Sequence, residues 1–210
     1  MKKTNGKGSQ RAVQKGIQKG APEKNGADKI SPRYLHDSSI DLHPKLRAQV
    51  CELLNQTLAE SLDLYTQTKH AHWNVKGVHF YQLHLLFDEL ATELADFTDM
   101  FAERITSLGG VAFGTTRMAA KSTKLPEFPI EITEGMDYVA ALAQRFAAFG
   151  RLLRNSIEVC GDLDDADTQD LYTQVSRDID KRLWFLEAHL QAVSAEHETV
   201  HALVAAKPRR

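Results

Sequence analysis

The sequence predicts an all-α protein, a bundle of four long helices with one long crossover between the second and the third. Three observations carry this. Apolar residues recur at steps of three and four over stretches of roughly 25 to 30 residues, the signature of amphipathic helices. The 210 residues include only 12 Gly and 6 Pro, and long stretches hold neither, which argues against a many-turned β fold. With 42% apolar residues the chain is able to bury one substantial core, so a single domain is expected over residues 34–195. It is flanked by a tail, residues 1–33, and by an extension, residues 196–210, with a basic end.

Residues 1–33 contain almost no large apolar side chains and are rich in Lys, Gly, Gln, Asn and Ser. Such a segment cannot repay the entropy of folding and is expected to be disordered in isolation. The first helix is expected over about 44–75, with Leu46, Val50, Leu54, Leu58, Leu62 and Tyr65 along one side and Pro44 in its first turn. After Gly77, the second helix covers roughly 79–108 with Phe80, Leu83, Phe87, Leu90, Leu94, Phe97, Phe101, Ile105 and Leu108, and Gly109-Gly110 stops it. The connection 111–132 carries Pro126 and Pro129, with room for one short helix near Thr116–Ser122. The third helix is expected over about 133–159 (Val139, Leu142, Phe146, Phe149, Leu153, Ile157). An acidic turn, residues 161–167, leads to the fourth, about 168–193 (Leu171, Val175, Ile179, Leu183, Leu186, Leu190). Two short links and one long crossover describe a four-helix bundle of ferritin type.

The net charge of −2 conceals a division. Residues 1–33 carry nine basic residues (Lys2, Lys3, Lys7, Arg11, Lys15, Lys19, Lys24, Lys29 and Arg33) against Glu23 and Asp28, and the last four residues add three more positive charges. The body between is strongly acidic. Basic ends on an acidic body suit an anionic partner that the body alone would repel. Two cysteines, Cys51 and Cys160, are too few for a disulfide framework and fit a reducing compartment. No apolar run approaches the roughly 20 residues that span a bilayer, and no hydrophobic stretch follows the basic start. A soluble, cytoplasmic protein with no membrane partner is expected.

The second helix bears a second stripe that is not apolar. His84, Asp88, Asp99 and Glu103 fall within roughly 100° of arc beside the core stripe. His84/Asp88 and Asp99/Glu103 are each spaced i,i+4, so each pair is able to share a metal. The two pairs cannot share one ion with each other, because Asp88 and Asp99 stand about 16 Å apart along the axis. The pairs mirror each other about a point between Glu93 and Leu94. Two copies of this helix packed antiparallel across a two-fold axis there would bring His84/Asp88 of one subunit to Asp99/Glu103 of the other, giving two equivalent sites. Ala91, Ala95 and Ala102 are small enough for close approach. His72, just before the turn into this helix, is a further candidate ligand. Imidazole with carboxylates suits iron and related first-row ions better than copper(I) or a zinc–thiolate site.

The segment Lys69-His70-Ala71-His72-Trp73-Asn74-Val75-Lys76-Gly77, followed by Phe80, His84, Asp88, Asp99, Met100, Ala102, Glu103, Arg104 and Leu108-Gly109-Gly110-Val111-Ala112, resembles the DNA-protecting, ferritin-like Dps family. The similarity resumes at Asp178-Ile179-Asp180-Lys181 and Trp184 and covers roughly residues 40–193. It implies a hollow homododecamer with ferroxidase centres between subunits. There His72, His84 and Asp88 of one subunit, with Asp99 and Glu103 of its mate, would bind Fe(II), oxidise it preferably with hydrogen peroxide, and pass ferric oxide to the interior. Trp73 sits where the family keeps a tryptophan beside the centre, or else is a core aromatic. Asp162, Asp164, Asp165, Asp167 and Asp170 resemble the family's acidic pore lining; the alternative is a cap that complements a helix dipole. The basic tail would bind DNA non-specifically and place the shell at the nucleoid.

Other patterns compete. His197-Glu198-Thr199-Val200-His201 matches the zinc-protease pattern H-E-x-x-H, but almost no chain follows to supply a third ligand. A di-iron site inside one bundle needs E-x-x-H on two core helices, and Glu198/His201 is the one such pair. His36, Asp37, Asp41 and His43 form a candidate accessory metal cluster before the first helix. A different class of function is an architectural DNA-compacting protein whose polar stripe is interfacial packing without ferroxidase activity.

Overall fold

A computed structural model describes the backbone of residues 34–205 and the side chains of residues 34–191. The basic residues Lys2 to Lys24, and the basic end after residue 205, lie outside the described residues. So do the side chains of His197, Glu198 and His201. The described chain is helical: α1 Pro44–Asn74, α2 Phe80–Ser107, α3 Thr116–Ser122, α4 Gly135–Asp162 and α5 Ala166–Ala205. Helix α1 packs chiefly on α2 and α4 on α5, while α4 also lies against α1, and the crossover carries the short α3 along α1. None of the described helices is long and apolar enough to cross a membrane.

The core forms where the apolar stripes meet. Leu54, Leu58 and Leu64 of α1, Phe87, Leu94, Phe101 and Ile105 of α2, Phe146, Phe149 and Leu153 of α4, and Tyr172, Val175 and Ile179 of α5 are all buried together. Truncating one of the buried phenylalanines to Ala would cost about 3–5 kcal/mol. Helix α1 starts on Pro44, with the His43 imidazole accepting the Lys45 N–H at 3.2 Å. At the end of α2 the two glycines are required by space. Gly109 adopts φ +84°, and a Cβ there would lie 2.6 Å from the His36 carbonyl oxygen; on Gly110 it would lie 2.6 Å from the Cys51 sulfur. Buried Arg47 closes the same corner, donating from Nη1 to the carbonyls of Leu108 at 2.7 Å and His36 at 3.1 Å.

The crossover is clamped by polar groups of the bundle. Arg145, 4% exposed, donates to Gln67 Oε1 at 2.6 Å and to the Glu127 carbonyl, and its guanidinium lies 5.0 Å over the Phe128 ring. Two boundaries differ from expectation. Helix α4 continues to Asp162 before Asp164, at φ +54°, turns the chain. Helix α5 begins at Ala166 and continues to Ala205, so residue 195 falls inside a helix. No Gly or Pro occurs between Gly161 and Pro208, which leaves nothing to stop it earlier.

Candidate metal centre

The turn between α1 and α2 brings His72 of the last turn of α1 against His84 of the second turn of α2. The rings stack at 3.8 Å between centroids with planes 21° apart. Each imidazole is tied to the backbone under the other: His72 Nδ1 is 2.8 Å from the His84 carbonyl oxygen, and His84 Nδ1 is 2.9 Å from the His72 carbonyl oxygen. A carbonyl only accepts, so both Nδ1 atoms carry a proton, and Nε2 is the atom that each ring, when neutral, offers to an ion. That crossed pair of bonds fixes tautomer and ring direction before any ion arrives, as the outer partners of metal-ligating histidines do.

Asp88, one turn after His84, lies beside this pair, with Oδ1 3.8 Å from His72 Nε2. The same oxygen accepts a hydrogen bond from Lys69 Nζ at 2.7 Å, which holds the exposed Asp88 carboxyl below the usual carboxylate range, with smaller contributions from the lysine charge and the two imidazoles. Lys69 also stands 5.9 Å over the Trp73 ring. Trp73 is 68% exposed, so it is no core aromatic and lies at the rim of this group. Beside Asp88 an open groove of about 460 Å³ runs along α2, lined by Leu85, Glu89, Thr92, Glu93, Asp96 and, from α5, Arg182.

Asp99 and Glu103 are exposed near the other end of α2, and among the described residues no hydrogen bond or ion pair engages either side chain. One chain does not bring them to Asp88: the interval is about 16 Å along the axis. Among the described residues no group of three or more His, Cys, Asp or Glu side chains is assembled to hold a metal ion, which includes His36, Asp37, Asp41 and His43. The donor types nonetheless fit a first-row divalent ion: two imidazole nitrogens and one carboxylate at one end, two carboxylates at the other. Of the small residues, Ala95 is exposed and Ala102 half-buried, whereas Ala91 is buried within its own chain, so the face left for a second helix is narrower than the spacing suggested. Cys51 and Cys160 are free and buried, and burial pushes their thiols up to about 11 and about 12, far from the thiolate a metal would need.

The acidic turn divides into two kinds of residue. Asp165 is 2% exposed and committed to the fold. Its Oδ1 accepts from the Thr168 N–H at 3.1 Å and from Arg104 Nη2 at 2.9 Å, and its Oδ2 from the Thr168 hydroxyl at 2.6 Å. Within the chain Asp165 thus caps α5 and pairs with Arg104, the role that the helix-cap alternative gave it. Asp167 and Asp170 are exposed on the first turns of α5. The sequence reading missed Lys69 and Arg104 as partners because each reaches across to another helix, 19 and 61 residues away, where helical periodicity carries no signal.

Comparison with known proteins identifies the family of the fold. A family model described as a ferritin-like domain matches residues 51–195. The DNA protection during starvation protein of Agrobacterium fabrum is 39% identical over 159 residues, 76% of this chain and 98% of that protein. Among solved structures, DpsC from Streptomyces coelicolor matches with a TM-score of 0.71 at 31% identity, covering 74% of this chain and 91% of that one. The Dps protein from Vibrio cholerae O1, described as a member of a broad superfamily of ferritin-like diiron-carboxylate proteins, matches with a TM-score of 0.69 at 27% identity over 73% of this chain and 96% of that one. The family model across the bundle, and a relative of this identity matched over nearly its full length, establish that the chain belongs to the ferritin-like DNA protection during starvation (Dps) family.

Proposed function

We propose that this protein is a ferroxidase and iron-storage shell. It oxidises Fe(II) at centres completed between two subunits, and it protects DNA by removing ferrous iron and peroxide together. The observation that carries the reading is the pair of incomplete donor groups at the two ends of α2, one of them joined by His72 of α1. His84 and Asp88, with His72 of α1 beside them, lie near one end of α2 and Asp99 and Glu103 near the other, in mirror order. A two-fold antiparallel contact of α2 with a second copy would complete both at once.

In this reading Fe(II) is substrate. His72 and His84 bind it through Nε2, and Asp88 leaves Lys69 to coordinate it. The partner's Asp99 and Glu103 add anionic oxygen, which favours the ferric charge and so draws the ion toward oxidation. Two ferrous ions give one electron each to one peroxide, so the O–O bond is cleaved to the level of water without releasing a one-electron oxidant. Exposed Asp167 and Asp170 would concentrate cations at the inlet. The relatives' name, DNA protection during starvation, supports the protective role. The remaining parts of the reading are a closed dodecamer, a cytoplasmic, nucleoid-associated location and non-specific DNA contact through Lys2, Lys3, Lys7, Arg11, Lys15, Lys19 and Lys24. The rival, a DNA-compacting protein without ferroxidase activity, is separated by stopped-flow oxidation of Fe(II). Fast oxidation with peroxide, slower with dioxygen, is expected; no acceleration over free Fe(II) with either oxidant would leave the architectural reading standing.

A further inference from the structure

We infer that Arg104 is a positioning residue for the metal centre: it fastens the turn of α2 that carries Asp99 and Glu103 to the capped start of α5, and so sets where those two carboxylates stand. The inference rests on the proposed function, in which both carboxylates are ligands.

Neither carboxylate has a hydrogen-bond or ion-pair partner among the described residues. Their position is therefore set by the backbone of α2, and through it by whatever fixes the rotation of that helix about its axis. Packing of Phe101 and Ile105 holds the buried face of the helix. Arg104 supplies the directional contact. Its Nε donates to Thr168 Oγ1 at 2.8 Å and its Nη2 to Asp165 Oδ1 at 2.9 Å, a planar fork with little angular freedom. The receiving surface is itself immobilised, since Asp165 is 2% and Thr168 0% exposed and the two are bonded to each other twice. Glu103 is the adjoining residue, about 100° round the helix, so a turn of α2 that strained the fork would swing the Glu103 carboxylate with it.

A second anchor lies near the middle of the same helix. Arg182 of α5 grips Glu93 of α2 through Nε at 2.6 Å and Nη2 at 3.3 Å. Helix α2 is thus fixed to α5 at two levels by arginine–carboxylate pairs, and the upper one stands directly behind the ligand-bearing turn. Asp165 also sets the direction of the first turn of α5, so one residue pair holds the exposed Asp167 and Asp170 at a fixed offset from Glu103.

The test is anaerobic Co(II) titration of the full-length assembled protein, read by the visible d–d absorption and independent of turnover. Arg104→Met keeps the aliphatic stem and removes the fork. Asp165→Asn keeps an N-cap for Thr168 and removes the charge that Arg104 holds. Both are expected to retain helical content and particle size, to bind Co(II) about tenfold more weakly, as loss of an outer-shell partner does, and to show an altered band. Affinity and band unchanged in both variants, with only the melting temperature lowered, would reduce Arg104 to an ordinary stabilising contact and overturn the inference. If Arg104→Met does not fold, Asp165→Asn decides by the same readout. Asp99→Asn with Glu103→Gln is the control that separates the two levels of argument. Loss of Co(II) binding there, with normal binding in the Arg104 and Asp165 variants, refutes the positioning role alone; normal binding in the control removes the centre itself and the inference with it.

Discussion

Lys69 places a cation of the chain's own at the His72/His84/Asp88 group, 2.7 Å from the carboxylate that a metal would need. An arriving divalent ion must displace an ammonium group that is already hydrogen-bonded, and then sit beside its charge. The pair is solvent-accessible on the Asp88 side, so its strength is that of a screened surface contact. Replacing Lys69 with Met keeps the stem over Trp73 and removes the competitor. Anaerobic Co(II) affinity is then expected to rise, by up to about fivefold, with His72 and His84 undisturbed. Affinity that falls instead would show the ammonium to be part of the binding arrangement rather than a rival for it. The imidazole pair needs no such displacement, because two backbone carbonyls already hold both rings.

At the level of helices, the sequence carried most of what positions the centre. The steps of three and four placed α1, α2 and the short α3 to within a residue or so, because Pro44, Gly77 and the Gly109-Gly110 pair mark their limits in chemistry that any reading can see. Spacing alone also put His84/Asp88 and Asp99/Glu103 on one face and showed them to be too far apart for one ion. What was not legible has a common cause. Asp165 reads as one more acid in a run of acids, and only the fold shows Arg104 and Thr168 around it. Lys69 reads as a lysine beside a histidine, and its partner lies on the next helix. Ala91 shares the arc of Ala95, yet its place near the core side hides it from a second copy. Periodicity assigns a face and stays silent on contacts between helices. Helix α5 ran past its expected end for the complementary reason: a helix stop needs a stop residue, and none occurs before Pro208.

For the whole molecule, charge and symmetry carry the argument. The first 33 residues hold nine basic and two acidic side chains, while the bundle is acidic, so contact with DNA is expected to run through the tails. Lysines are point charges without base-reading geometry, and many tails on one shell would bind multivalently. Removing residues 2–33 should abolish retardation of duplex DNA at low salt and leave Fe(II) oxidation unchanged, since no proposed ligand precedes His72. Equal retardation by the shortened and the full chain would move DNA binding to the bundle surface. The central claim, that each centre is built from two subunits, has a more direct test. His84→Ala with Asp88→Asn disables one half of the centre, and Asp99→Asn with Glu103→Gln disables the other. Each double variant alone should oxidise Fe(II) no faster than the uncatalysed reaction while keeping its helical content. When the two are dissociated, mixed in equal amounts and reassembled, half of the dimers are mixed, and each mixed dimer has one centre with both halves intact. The account predicts recovery of about a quarter of the parent rate; a reassembled mixture as inactive as its parts would contradict it.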